Sequence, residues 1–176
     1  GLKSSSIYFP IWNSLVRLCY FILHATILSK LLDTINQIKE TSFKDPLTKA
    51  ANWRYFEEYS NTIIKTSVRE KQKITIVYID VDNFKQINDT YGHSIGDEVL
   101  ITITKLIQNE IRPQDLLARL GGDEFSIILT NTNKESTNEI LKRIALSVKK
   151  EMEIRKWNIS LSIGAMVFSI LSSTIG

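Results

Sequence analysis

The sequence holds 176 residues, 43% of them hydrophobic and 23% charged, with seven Gly, three Pro and one Cys. That excludes collagen-like, disordered and disulfide-stapled proteins, and the lone Cys19 can close neither an intrachain disulfide nor a Cys-rich zinc site. The net charge of +3 arises within residues 1–44, where five basic side chains face two acidic ones; the other 132 residues hold 17 of each sign. Such a balanced domain lacks the basic footprint that phosphate-driven nucleic-acid binding needs.

In chain order, Ile7 to Leu28 is an aromatic and aliphatic run broken by Pro10, Asn13, Arg17 and His24. It is long enough to cross a bilayer, which takes roughly 20 mostly apolar residues. Arg17 is the objection, because an arginine near mid-span costs at least about 2.5 kcal/mol unless it snorkels or faces a neighbour. Tyr8 and Trp12 suit the interface, and Lys30, Lys39 and Lys44 place the following chain in the cytoplasm. The competing reading is an amphipathic helix packed on a partner. No small-residue cleavage site follows the run, which disfavours a secretory signal. Leu28, Leu31, Ile35 and Ile38 then form a short a/d seam of the kind that pairs parallel helices.

Asp45-Pro46-Leu47-Thr48 is a turn signature, since Pro46 cannot continue a helix, and the domain boundary is placed there. The pattern beyond it predicts a helix over 52–69 and a strand over 74–81 buried on both faces. A helix over 96–111, strands over 116–120 and 125–129 around a Gly121-Gly122 turn, a helix over 134–152 and a strand over 159–168 follow. Alternating strands and helices imply an α/β or α+β sheet covered by helices.

Two acidic clusters fall at predicted strand ends: Asp80-Val81-Asp82, and Asp123-Glu124 after the Gly pair. If the two strands are neighbours, Asp80 and Asp123 converge on one cation, and hard oxygen ligands favour magnesium with substrate phosphates and water completing its shell. Metal-assisted phosphoryl or nucleotidyl transfer follows as the reaction class. Lys85 supplies a point charge for a triphosphate, while Asn88 and Asp97 offer the amide and carboxylate that pair with a guanine edge. A structural hydrogen-bonding role is favoured for His93 over a catalytic one.

These residues make the chain recognisable. Arg119-Leu120-Gly121-Gly122-Asp123-Glu124-Phe125, with Tyr78 to Lys85, Asn88 to His93, Gly96-Asp97, Asp45 to Thr48 and Ser160 to Ala165, closely resembles the GGDEF family of diguanylate cyclases over roughly 45–167. The resemblance implies an α+β fold with a palm-like sheet of nucleotide-cyclase and polymerase type, partly antiparallel and flanked by helices, preceded here by a long N-terminal helix. It implies condensation of two GTP into cyclic di-GMP with release of pyrophosphate. Asp80, the Val81 carbonyl and Asp123 match the ligands of magnesium, for which manganese can substitute, and Glu124 the catalytic acidic position that binds metal or deprotonates the attacking 3'-hydroxyl. Lys85 matches a phosphate-contacting lysine, Asn88 and Asp97 the guanine pair, and Gly121 and Gly122 a backbone that approaches phosphates closely.

Each domain would hold one GTP, so activity requires a homodimer, and the seam before Asp45 has an evident use. Arg112-Pro113-Gln114-Asp115, five residues before Gly121, matches the RxxD site at which product inhibits, with Arg143 a candidate further arginine. The expected organisation is a membrane helix over 1–30, a signalling linker over 31–44 and the GGDEF domain over 45–176, anchored in a bacterial inner membrane with the catalytic domain cytoplasmic. Lys49-Ala50 departs from the family's Gly and larger apolar residue. The sequence ends at Gly176, before the helix that in the family brings a lysine and an arginine to the phosphates; a natural terminus there would put phosphate affinity and turnover in doubt, and a fragment would not. The alternatives are a weak or inactive GGDEF domain that binds GTP or cyclic di-GMP and signals, and a different palm-type cyclase, which the guanine pair disfavours.

Overall fold

The computed structural model describes residues 5–41, 43–70 and 72–168, with side chains of the first helix described over 11–35. The expectations for the seam residue Ile38 and for the chain after Phe168 fall outside what is described. The chain divides into two compact units, 1–42 and 43–176.

The described residues of the first unit form one uninterrupted helix, α1 (Ser5–Thr41), about 55 Å long at 1.5 Å per residue. Its apolar side chains are spread evenly around the axis rather than along one stripe, which is not the pattern of an amphipathic surface helix. By length and composition Ile11–Ile35 can cross a membrane, and none of its strongest apolar window is buried. Within that span Arg17 stands away from the middle, a quarter of the way along, one way of easing the cost of its charge.

The second unit is a five-stranded sheet in the order β1-β3-β4-β2-β5. Its elements are β1 (Ala51–Asn52), α2 (Trp53–Glu70), β2 (Ile74–Asp82), α3 (Phe84–Tyr91), α4 (His93–Glu110), β3 (Leu116–Gly121), β4 (Glu124–Thr130), α5 (Lys134–Arg155) and β5 (Ser160–Phe168). β2 is antiparallel to both β4 and β5, β3 and β4 form the expected hairpin, and β1 runs parallel to β3. This is the mixed, helix-flanked sheet that the sequence implied.

Alternation assigns Val77, Ile79 and Val81 of β2 and Phe125, Ile127 and Leu129 of β4 to one face. They are fully buried in one core with Val99, Leu100, Ile103 and Ile107 of α4 and Ile140, Ile144, Val148 and Met152 of α5. Burying each such side chain contributes about 1.5–3 kcal/mol before entropy is counted. α2 packs against β3, covering the opposite face, to which Ala118, Ser126 and Ile128 belong. The expectation that β2 is buried on both faces holds only in part, because Tyr78 remains 44% exposed. α2 lies over β3 and does not reach that far, so the second face of β2 is open where Tyr78 and Asp80 stand.

Two elements differ from the sequence reading. The two-residue strand β1 was not foreseen, since a parallel ladder is set by a distant partner, here Ala118 and Arg119. The polar stretch after β2 is two helices rather than a helix and a loop. Gly92, at φ 84°, ends α3 by donating its N–H to the Asn88 carbonyl at 2.9 Å and starts α4 by accepting from Ile95 and Gly96. Few residues other than glycine tolerate that backbone.

Candidate active site

The β2–β4 ladder runs from Ile74–Thr130 to Asp80–Glu124 and ends there. Asp80 and Glu124 are therefore directly opposed on neighbouring strands, with side chains on the face away from the core. Beyond this pair β2 continues against β5 alone, with Val81 opposite Leu161, so β4 does not claim the peptide groups of Val81. Asp123 occupies the hairpin turn immediately before Glu124. Its neighbour Gly122 has φ 52°, a bulge separates Arg119 from Gly121, and a Cβ on either glycine would meet nothing within 4 Å. The turn thus presents bare backbone to open space.

The site's charge is unbalanced. Burial and the neighbouring carboxylates of Asp123, Asp82 and Glu124 all hold the Asp80 carboxyl above its usual range. The Tyr78 hydroxyl, on the same face two residues earlier, hydrogen-bonds Glu124, and its pKa is pushed up to about 12, first by that bond and then by burial and the surrounding negative charge. Mutually repelling carboxylates at the ends of adjacent strands fit a divalent cation. Among the described residues no three His, Cys, Asp or Glu side chains close on one point as a cage. Magnesium commonly uses only one or two protein carboxylates and completes its shell with phosphate and water.

Asp82 is diverted from the cluster. Its two oxygens accept from Ser160 and Ser162 of β5, each at 2.6 Å, and these bonds, that of Ser160 first, hold its pKa below the usual range. The second acidic residue of the strand therefore ties the edge strand to the site.

α3 leaves β2 directly after Asp82, with Asn83 in the left-handed region at φ 63°. Lys85 is exposed, and Asn88, half-buried, follows it at i+3, so the two lie on neighbouring positions of one helix face. Asp97 is exposed in the first turns of α4, across the Gly92 corner. His93 is exposed as well, and the Gly92 backbone rather than its ring holds that corner.

The Arg112–Asp115 loop joins α4 to β3. Asp115 Oδ2 accepts from the Arg112 amide at 3.0 Å, and its Oδ1 accepts from the Thr130 amide and hydroxyl at 3.1 and 3.3 Å. Its carboxylate thus shapes the loop and keeps a lone pair for a ligand, while the Arg112 side chain is exposed. Arg143 of α5 lies against Glu110, two residues before Arg112, with Nε donating to Oε2 and Nη2 to the carbonyl, both at 3.0 Å.

The sequence reading gave no role to Arg119. Its Nε and Nη2 donate to the Gly122 carbonyl at 2.9 and 2.7 Å, and its Nη1 pairs with Asp45 Oδ1 at 3.1 Å. Asp45 in turn accepts from the Thr48 amide at 2.7 Å and hydroxyl at 2.6 Å. Burial raises the Asp45 pKa, but these partners outweigh it and hold the carboxyl below the usual range. One guanidinium therefore joins the turn that opens the domain to the glycine turn of the site. The only trace in the sequence is a charge two residues before the Gly pair, which spacing alone cannot connect to position 45.

A sheet with opposed carboxylates at its strand ends, helices on both faces and a polar helix corner beside them defines a palm-type domain. The chain belongs to the GGDEF family: the family described as "Diguanylate cyclase, GGDEF domain" matches residues 42–174. It is similar to "Probable diguanylate cyclase DgcT" of Escherichia coli K12, 36% identical over 135 residues that cover 73% of this chain and 29% of DgcT. The chain thus spans about three-tenths of that relative's length. Among solved structures it is similar to diguanylate cyclase SiaD of Pseudomonas aeruginosa, seen in complex with its activator SiaC (TM-score 0.66, 29% identity, 97% of this chain and 67% of that one). It is also similar to the GGDEF domain of DgcB from Caulobacter crescentus in complex with c-di-GMP (TM-score 0.64, 26% identity, 73% of this chain and 78% of that one).

Proposed function

We propose that the protein condenses two GTP molecules into cyclic di-GMP as a magnesium-dependent homodimer. The direct opposition of Asp80 and Glu124, with Asp123 beside them in a glycine turn, carries this reading. Membership of a family of named diguanylate cyclases supports it.

Asp80, Asp123 and the Val81 carbonyl would hold a magnesium ion, or manganese in its place, which when bound supplies Lewis-acid stabilisation of the phosphate charge. Lys85 attracts the triphosphate as a point charge. Asn88 and Asp97 hold guanine, the carboxylate accepting from its N1–H and exocyclic amine, which adenine cannot match. Glu124 would take the proton of the attacking 3'-hydroxyl or join the metal shell, with the Tyr78 hydroxyl beside it on the same face. Each domain holds one nucleotide, so two must face each other for a 3'-hydroxyl to reach the partner's α-phosphate. Product then returns to Arg112 and Asp115, where the exposed guanidinium meets phosphate and the remaining carboxylate lone pair meets the base. The apolar helix α1 anchors the domain in the bacterial inner membrane with residues 43 onward in the cytoplasm, in keeping with Lys30, Lys39 and Lys44 on that side.

Incubation of the purified chain with GTP and magnesium, followed by chromatography, tests the reaction. Cyclic di-GMP is expected from the wild type and not from Asp123→Ala or Glu124→Ala. Tight binding of added cyclic di-GMP without any synthesis would leave a receptor in place of an enzyme.

A further inference from the structure

We infer that Gly96 sets guanine recognition, because the space left by its missing side chain is the space in which the Asn88 amide lies. This rests on the reading of Asn88 and Asp97 as the guanine pair. A Cβ built on Gly96 would stand 2.0 Å from Asn88 Oδ1, 3.0 Å from Asn88 Cγ and 3.3 Å from Phe84 Cζ. The first distance is impossible, and the atom in the way is the end of a side chain rather than backbone. Gly96 is buried within α4 in ordinary helical geometry, so conformational freedom does not explain it. Alanine is the better helix former at such a position; what glycine provides here is room.

The main chain around Asn88 is fixed independently. Its carbonyl accepts from Gly92 N–H at 2.9 Å, and the Gly92 carbonyl accepts from the amides of Ile95 and Gly96 at 3.2 and 3.3 Å. α3 therefore cannot retreat from α4 without breaking the corner, and a Cβ at position 96 is accommodated by rotating the Asn88 amide away. Rotation costs the fold little, since a half-buried amide can turn toward water. It takes donor and acceptor away from the base while leaving Asp97, the next residue, in place. Guanine is then read by one partner where there were two.

The experiment is a double-mutant cycle on the full chain with Gly96→Ala, Asn88→Ala and the pair together. It measures Kd for a non-hydrolysable GTP analogue with magnesium, and Tm without nucleotide. Gly96→Ala is expected to weaken nucleotide binding about tenfold with Tm nearly unchanged, and Asn88→Ala to weaken it comparably. The pair should bind no more weakly than Asn88→Ala alone, because the clashing atoms are gone. Additive losses of about a hundredfold, or wild-type affinity in Gly96→Ala, would overturn the inference. Should Gly96→Ala fail to fold, folding of the double variant still assigns the clash to Asn88, and failure of both makes the glycine structural and refutes the inference. A wild type that binds no GTP analogue refutes the guanine reading itself, before any variant is compared.

Discussion

Lys49 carries a plain backbone cost. It sits at φ 62°, a region that costs a side chain about 1–2 kcal/mol, where the family's usual glycine would sit freely. Its N–H donates to the Asp45 carbonyl at 3.0 Å and Asp45 N–H to the Ala50 carbonyl at 2.8 Å, so the turn cannot relax. Glycine's extra unfolded-state entropy returns about 0.4–1 kcal/mol, which leaves Lys49→Gly stabilising by about 0.5–1 kcal/mol. Urea denaturation checks this, and a loss of stability contradicts it. The departure was legible as an odd residue; its strain was not, because φ does not appear in a sequence. The Arg119–Asp45 pair beside it is largely buried, with side chains 14% and 16% exposed. Arg119→Ala is expected to cost about 1–3 kcal/mol at pH 7. Asp45 titrates below its ordinary 3.8 in the folded state, so its contribution is present above that value and fades as pH falls through the lowered one. The variant's deficit should accordingly shrink in acid, and a deficit independent of pH would deny the ion pair its role.

At the scale of elements, most of the domain could be read from periodicity. The apolar spacing of β2, β4, α4 and α5 returns as the core, because those segments bury one face and the pattern records which. β1 escaped because two residues hold no period, and the α3–α4 corner because one glycine in a polar stretch resembles a loop. The acidic strand end was legible as chemistry but not as a division of labour. Asp80 and Asp82 share a face, yet Asp82 alone meets two serines of β5, and only the pairing of Asp82 with Ser160 and of Asp80 with Ser162 reveals this. Ser160→Ala with Ser162→Ala is expected to speed amide hydrogen exchange at the start of β5, equivalent to about 1–2 kcal/mol of easier local opening. The β2–β4 ladder should keep its protection. Equal acceleration in both ladders would show that the serines do not act locally.

Across the described residues, an apolar helix is followed by a domain whose opening turn is joined through Arg119 to the glycine turn of the site. Asp80 and Asp123 were picked out as acidic residues at predicted strand ends, and Asn88 and Asp97 by their amide and carboxylate and by the family resemblance. The sheet then set Asp80 beside the Asp123–Glu124 strand end. The Arg112–Asp115 stretch was legible as a motif only: nothing in the sequence indicates that Asp115 spends most of its lone pairs on Arg112 and Thr130, or that Arg143 is drawn to Glu110. Because the Arg112 guanidinium is exposed and makes no part of that loop scaffold, Arg112→Ala should relieve inhibition by added cyclic di-GMP while leaving the initial rate within about twofold. Retained inhibition places the product elsewhere. The claim on which the rest depends is that Asp80 and Asp123 share one divalent ion. Manganese binding in the presence of a GTP analogue, followed by electron paramagnetic resonance, measures it most directly: Asp80→Asn and Asp123→Asn should each abolish the bound signal in a folded protein, and an unchanged signal in either would contradict the account.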